Sequence, residues 1–252
     1  MTIRHILVHV DLAPGGERRL RLAADLARRF GAELIGTGLA EDDLETGDGE
    51  AMAPAEALFR AALSGGLSGD WRPAGGIEES FIADQARTAD LVVLGQRDPG
   101  GTAGVSPEGV IVACGRPVIV VPCTAPSERV GGTVLVAWNG SREAVHAVRM
   151  ALPLLVRADR VVVLSVNPPA AEDWGGRGLA HDLVRQGAPA TAETVTPEGR
   201  SPAEGLRACA AEMGADLIVM GAFRRSPLRE TLLGGTTDAM LRSMDVPVLM
   251  AH

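Results

Sequence analysis

The chain of 252 residues contains no lysine: every basic side chain other than histidine is arginine. That absence excludes Schiff-base chemistry, a Walker-type phosphate lysine and a kinase-type lysine together. Cysteine is scarce. Cys114, Cys123 and Cys209 are odd in number, form no Cys-x-x-Cys and have no histidine at metal-ligand spacing. Buried free thiols are therefore expected rather than a disulfide framework, and no metal site is predicted. No Gly-x-Ser-x-Gly elbow, His-x-Gly-His or Ser-Gly-Gly-x-Asp-Ser occurs, so no catalytic residue is assigned. No apolar run reaches membrane-spanning length, and Met1-Thr2-Ile3-Arg4-His5 leads into a strand without a charged-then-apolar leader. A cytoplasmic protein with no membrane partner is expected. The net charge is −8 and the arginines are scattered, which argues against a nucleic-acid partner.

What the chain does have is apolar mass: 46% of it is hydrophobic, enough for one large or two ordinary domains. Ile3 to Val10 reads as a first buried strand ending at Asp11. Glu17 to Phe30 has apolar residues near i, i+3, i+4 and i+7 with arginines on the other face, and so predicts an amphipathic helix stopped by Gly31. Ala32 to Leu39 is a second strand, and the acidic 41–50 stretch a solvated loop. Pro54 to Leu63 suits a helix, Trp71 marks an edge strand, Ile77 to Thr88 suits a helix, and Leu91 to Leu94 forms a strand ending at Gly95. A short helix then leads to the strand at Val118 to Val121.

After the polar segment 124–130 the pattern restarts. Thr133 to Ala137 is a strand. Ser141 is a candidate N-cap for a helix to about Val156, and Arg160 to Val166 follows as a strand. Asp173 to Gln186 gives a helix broken by glycines and Ala190 to Val195 an edge strand. Ser201-Pro202 opens a helix that Gly214 stops. Leu217 to Met220, ending at Gly221, reads as a strand buried on both faces. Beyond a basic loop, Gly234-Gly235-Thr236-Thr237-Asp238 opens another helix, where glycines let backbone pass close to a ligand and free N–H groups attract anions.

Three segments recur at nearly one offset. Ile6 to Asp11 answers Val134 to Asn139; Ala89-Asp90-Leu91-Val92-Val93-Leu94-Gly95 answers Ala215-Asp216-Leu217-Ile218-Val219-Met220-Gly221; Arg116 to Val120 answers Val246 to Met250. This is a tandem duplication. The fold expected is α/β: two doubly wound domains, over residues 1–123 and 131–252 with 124–130 as linker. Each is a parallel sheet flanked by helices, with its ligand crevice at the carboxyl ends of the strands.

In that order, twice, these segments resemble the universal stress protein family, in particular its tandem two-domain members. The resemblance implies five-stranded sheets of order 3-2-1-4-5. It also implies that the halves pair through Val118 to Val121 and Val248 to Ala251 as an intramolecular pseudo-dimer, with a further homodimer left open. Members that bind ATP carry Gly-x-x-Gly, nine residues, then Gly-Ser or Gly-Thr. Here Gly221-Ala222-Phe223-Arg224 is followed by nine residues and Gly234-Gly235-Thr236, so the spacing holds while Arg224 replaces the second glycine and Gly235 the hydroxyl. By the same correspondence Asn139 meets the nucleoside, Val166 the base, and Gly221, Ala222, Arg224, Gly234, Gly235, Thr236 and Thr237 surround the phosphates. The first half keeps Asp11 and Gly95. Its segment from Gly95 to Pro117 is four residues shorter than that from Gly221 to Pro247, which makes it a degenerate site that mainly packs.

The resemblance thus implies a non-enzymatic, stress-response-associated binding protein, with ATP or another adenine nucleotide in the second half and an unidentified protein partner. The alternatives are a ligand-free protein-interaction module of the same fold and a nucleotide-using enzyme of a related α/β fold.

Overall fold

The computed structural model describes residues 2–39, 54–74, 78–97, 105–124, 129–168, 175–223 and 235–252. In the first half, β1 (His5–His9), α1 (Gly16–Phe30), β2 (Glu33–Leu39), α2 (Pro54–Ala62), β3 (Gly69–Ala74), α3 (Glu78–Ala86), β4 (Leu91–Gly95), α4 (Pro107–Cys114) and β5 (Val118–Val121) alternate. The second half follows with β6 (Thr133–Ala137), α5 (Arg142–Leu155), β7 (Arg160–Val166), α6 (Gly176–Arg185), β8 (Ala190–Val195), α7 (Pro202–Met213), β9 (Leu217–Gly221), α8 (Thr236–Ser243) and β10 (Val248–Ala251). The expected acidic loop at 41–50, the segments 125–128 and 173–174, and the loop carrying Arg224 and Gly234 lie outside the described residues.

Local chemistry accounts for the boundaries. Gly31 ends α1 in the left-handed region with φ 62°, donating its N–H to the Ala27 and Arg28 carbonyls. Ser201 opens α7 with a full capping box: its hydroxyl accepts from the Glu204 backbone N–H while the Glu204 carboxylate accepts from the Ser201 N–H. Ser141 accepts from the Ala144 N–H at 3.2 Å and opens α5.

Within each half the strands pair in parallel in the order 3-2-1-4-5. The halves meet where β5 and β10 run antiparallel, with Leu249 opposite Ile119, so one ten-stranded sheet runs β3-β2-β1-β4-β5-β10-β9-β6-β7-β8. The two expected five-stranded sheets are fused because the last strand of each offers an open apolar edge to the other. Helices cover both faces, and both core layers are continuous across the junction. One contains Val93, Ile119, Leu249 and Val219, the other Val92, Val120, Val248 and Ile218.

Polar ties reinforce the junction. Gln96 donates its side-chain N–H to the Leu241 carbonyl at 2.8 Å. At the opposite end of the sheet Arg29 donates to the Val130 carbonyl, and Arg157 donates to the Arg29 carbonyl while lying over the Phe30 ring, 4.3 Å from its centre.

Candidate functional site: the two strand-end crevices

In an open parallel sheet the ligand crevice lies beyond the carboxyl ends of the strands at the point where strand order reverses. Here that point falls between β1 and β4 in the first half and between β6 and β9 in the second. Each crevice begins with the same turn. Asp11 accepts the Ala13 N–H at 3.1 Å and Asn139 accepts the Ser141 N–H at 3.1 Å, each carboxyl or amide oxygen closing its own backbone two residues on.

Beyond that turn the halves diverge. The first crevice is filled by Arg19, which the expected outward arginine face of α1 had placed in solvent. Arg19 is only 4% exposed. Its Nε donates to the His9 carbonyl at 2.8 Å, and its Nη2 lies 2.9 Å from Asp11 Oδ1. A β-carbon on Gly95 would run into Arg19 Nη1, so an alanine there would displace the guanidinium. The His9 imidazole is buried behind this pair, with Nε2 2.8 Å from Glu78 Oε1 and Nδ1 3.5 Å from Asp11 Oδ2. Asp11 and Gly95 are thus brought together, and what joins them is the protein's own cation. The register of apolar positions in α1 gives Arg19 the look of a surface residue, because its partners come from β1 and the β1–α1 turn.

The second crevice has no such filler among its described residues. Gly221 ends β9 directly against the first turn of α5, where a β-carbon would meet Ala144 N and Glu143 C at 2.5 Å each. Ala222 is buried and its N–H is taken by the Ala251 carbonyl at 2.9 Å. Phe223, also buried, adopts φ 53°, a left-handed conformation that costs an aromatic residue about 1–3 kcal/mol. It is held there by Thr237, whose Oγ1 accepts the Phe223 N–H at 3.2 Å. That bond sets the start of α8 beside the end of β9. Thr237 is buried with its hydroxyl oxygen committed to this contact, whereas Thr236 is partly exposed and follows Gly235, an N-cap that makes no side-chain hydrogen bond. Asn139 is exposed and Val166 closes β7 in a half-buried position. Asp238, in the first turn of α8, pairs with Arg242 one turn on.

The sequence around Glu143 does not single it out. It occupies the second position of α5 and is 7% exposed. Burial pushes its carboxyl upward, but its own backbone N–H, the Arg142 charge and the Ser141 hydroxyl outweigh this and hold it below the ordinary carboxylate range. An acidic residue two places after a serine N-cap was a readable sign of a helix start; its burial was not.

For an adenine nucleotide the fit divides. Backbone beside Gly221, the exposed Asn139 amide and the start of α8, which Gly235 cannot cap with a side chain, suit a nucleoside and a phosphate, while Glu143 and Asp238 set negative charge at both neighbouring helix starts. Among the described residues no group of three His, Cys, Asp or Glu is arranged to hold a metal ion, and no helix is long and apolar enough to cross a membrane.

Comparison with known proteins places this geometry. The universal stress protein family matches residues 132–252. A universal stress protein from Archaeoglobus fulgidus DSM 4304 is 18% identical and superposes over 99% of this chain and 96% of its own with a TM-score of 0.75. A functionally unknown protein from Pseudomonas aeruginosa PAO1 is 19% identical and covers 99% of this chain and 92% of its own, with a TM-score of 0.62. A universal stress protein solved in complex with cAMP is 26% identical over 48% of this chain and 95% of its own, with a TM-score of 0.41. A search of curated proteins gave no match. Residues 132–252 belong to the universal stress protein family, and the whole chain shares the fold of the Archaeoglobus universal stress protein.

Proposed function

We propose that this is a non-enzymatic, stress-associated binding protein of the cytoplasm that takes an adenine nucleotide in the crevice of its second half and signals occupancy to a protein partner. The observation that carries the reading is the asymmetry of the crevices. Arg19 fills the first, while the second sets Gly221 against α5 and, through Phe223 and Thr237, the start of α8 beside the end of β9, within the half that matches the family. ATP is one candidate, since the spacing from Gly221 to Gly234 is that of ATP-binding members. Arg224 and Gly235 depart from their pattern, and these departures favour a second reading, a ligand-free module acting through protein contacts alone.

Residues 1–123 and 131–252 act in this reading as two domains joined by 124–130. Any signal from α8 has a direct route into the first half, because Gln96 of that half holds the Leu241 carbonyl of the helix.

The test is to denature freshly purified protein and analyse the released small molecules by mass spectrometry, then to titrate the emptied protein with adenine compounds. About one adenine ligand per chain is expected. A protein that releases none and takes up none would leave the interaction module as the function.

A further inference from the structure

The first crevice holds four ionisable side chains in a line. Arg19 Nη2 lies 2.9 Å from Asp11 Oδ1, Asp11 Oδ2 lies 3.5 Å from His9 Nδ1, and His9 Nε2 lies 2.8 Å from Glu78 Oε1. The line joins three elements: Arg19 comes from α1, His9 and Asp11 from β1 and the turn after it, and Glu78 from the first turn of α3. The His9 side chain is 5% exposed and that of Glu78 16%, so water screens little of what passes between them. The second half does not repeat this, since Ala137 answers His9.

The charge balance turns on the imidazole. Its acids are Asp11 and Glu78, and the other cation is Arg19. Of the strands flanking β1, β2 sets the buried Thr37 opposite His9 and β4 brings no ionisable side chain. Glu79 and Glu108 are engaged elsewhere, the first accepting the Ser106 N–H at 2.7 Å and the second its hydroxyl at 2.7 Å. Segments 40–53, 75–77, 98–104 and 125–128, outside the described residues, contain no arginine, lysine or histidine, so they supply no further cation. With a proton on both ring nitrogens the charges alternate along the line, and two cations balance two carboxylates. With a neutral ring that donates to Glu78 through Nε2, the bare Nδ1 faces the Asp11 carboxylate, and Arg19 alone stands against two acids.

We propose that His9 is a proton-operated latch of the first crevice. Charged, it ties the β1–α1 turn through Asp11, and the start of α3 through Glu78, to the end of β1. On losing its proton it releases Asp11 and loosens its hold on α3. Histidine is the side chain that changes charge between about pH 5 and pH 8, so the latch works near neutrality. The stability it contributes is present in mild acid and lost as pH rises, opposite in sign to that of a carboxylate lowered by folding.

The experiment is native-state hydrogen exchange of the full chain and of His9→Gln at about pH 5.5 and about pH 8, corrected for the intrinsic exchange rate at each. Glutamine can still donate to Glu78 but carries no titrating proton. Protection of the α3 amides in the wild type is expected to fall about three- to tenfold between the two conditions, while the amides of β6 and β9 keep theirs. In His9→Gln the protection of α3 is expected to be the same at both. Wild-type protection that is flat or rises with pH, or a fall that persists in His9→Gln, would overturn the proposal. If His9→Gln fails to fold, as a thermal melt would show, NMR of the imidazole nitrogens in the wild type decides the matter. A ring still neutral at about pH 5.5, or one that loses its proton without any change in the α3 amides, overturns the latch.

Discussion

The guanidinium of Arg19 stands over Gly95, with Nη1 2.2 Å from where a β-carbon would be, and this one contact closes the first crevice. Gly95→Ala must therefore push Arg19 away from Asp11 and the His9 carbonyl. An expected loss of about 1–3 kcal/mol, read from urea unfolding, follows from overpacking. Arg19→Met keeps the volume but strands the Asp11 carboxylate. Asp11 is one-third exposed, so the loss should be nearer 2 kcal/mol than the several kcal/mol of a fully buried pair. Unchanged stability in both variants would mean that the guanidinium is not what holds this end of the sheet.

The antiparallel junction should make the two halves unfold together. Leu249 is fully buried opposite Ile119, in a core layer shared by both halves. Leu249→Ala is expected to cost about 2–5 kcal/mol. Hydrogen exchange should show protection lost in β4 and β5 as well as in β9 and β10. Exchange rising in the second half alone would show that the junction transmits little.

Acid should weaken the fold through two helix starts. The Glu143 carboxyl is depressed as described above, and that of Glu204 is depressed by the Ser201 backbone N–H and hydroxyl. A carboxyl lowered on folding contributes stability that is present above its unfolded value of about 4.3 and is lost as pH falls through the folded one. Glu143→Gln should therefore flatten the acid limb of a plot of unfolding midpoint against pH, and leave its slope near neutrality unchanged.

Ser201→Ala removes the hydroxyl of the capping box and should cost about 1 kcal/mol at neutral pH. Because that hydroxyl also lowers the Glu204 carboxyl, the same variant should lose less further stability in acid than the wild type. Two-dimensional NMR of the Glu204 side chain across the titration checks both effects in one sample.

The thiols Cys114 and Cys209 should be slow to react. Burial raises both, and the nearby Glu212 and Glu193 charges raise Cys209 further. Their alkylation by iodoacetamide in the folded protein should run at least about tenfold slower than in urea, measured by peptide mass spectrometry. Equal rates would show that these sites open freely.

Much of this architecture is written locally in the chain. Apolar runs such as Leu91 to Leu94 and Leu217 to Met220 specify buried strands. Gly31 and Gly214 specify helix stops, Ser141 and Ser201 helix starts, and the recurrence of these signals specifies two like halves. Strand order and the β5–β10 pairing followed from the family resemblance, and the observed registers agree with it. The crevices were less legible. The sequence pairs Asp11 with Gly95 but places the arginine between them on the solvent face of α1, and Glu143 lies outside the expected site.

The difference has one physical cause. Secondary structure and caps depend on residues within about four positions of each other, so the sequence by itself determined them. The state of a charged side chain depends on what packs above it. Arg19 is buried because β1, its following turn and β4 converge on it, His9 meets Glu78 from 69 positions away in the chain, and Glu143 is covered where Gly221 closes on α5. Only the tertiary structure brings those partners together, and it alone decided that one crevice holds its own cation while the other buries a carboxylate beside Gly221.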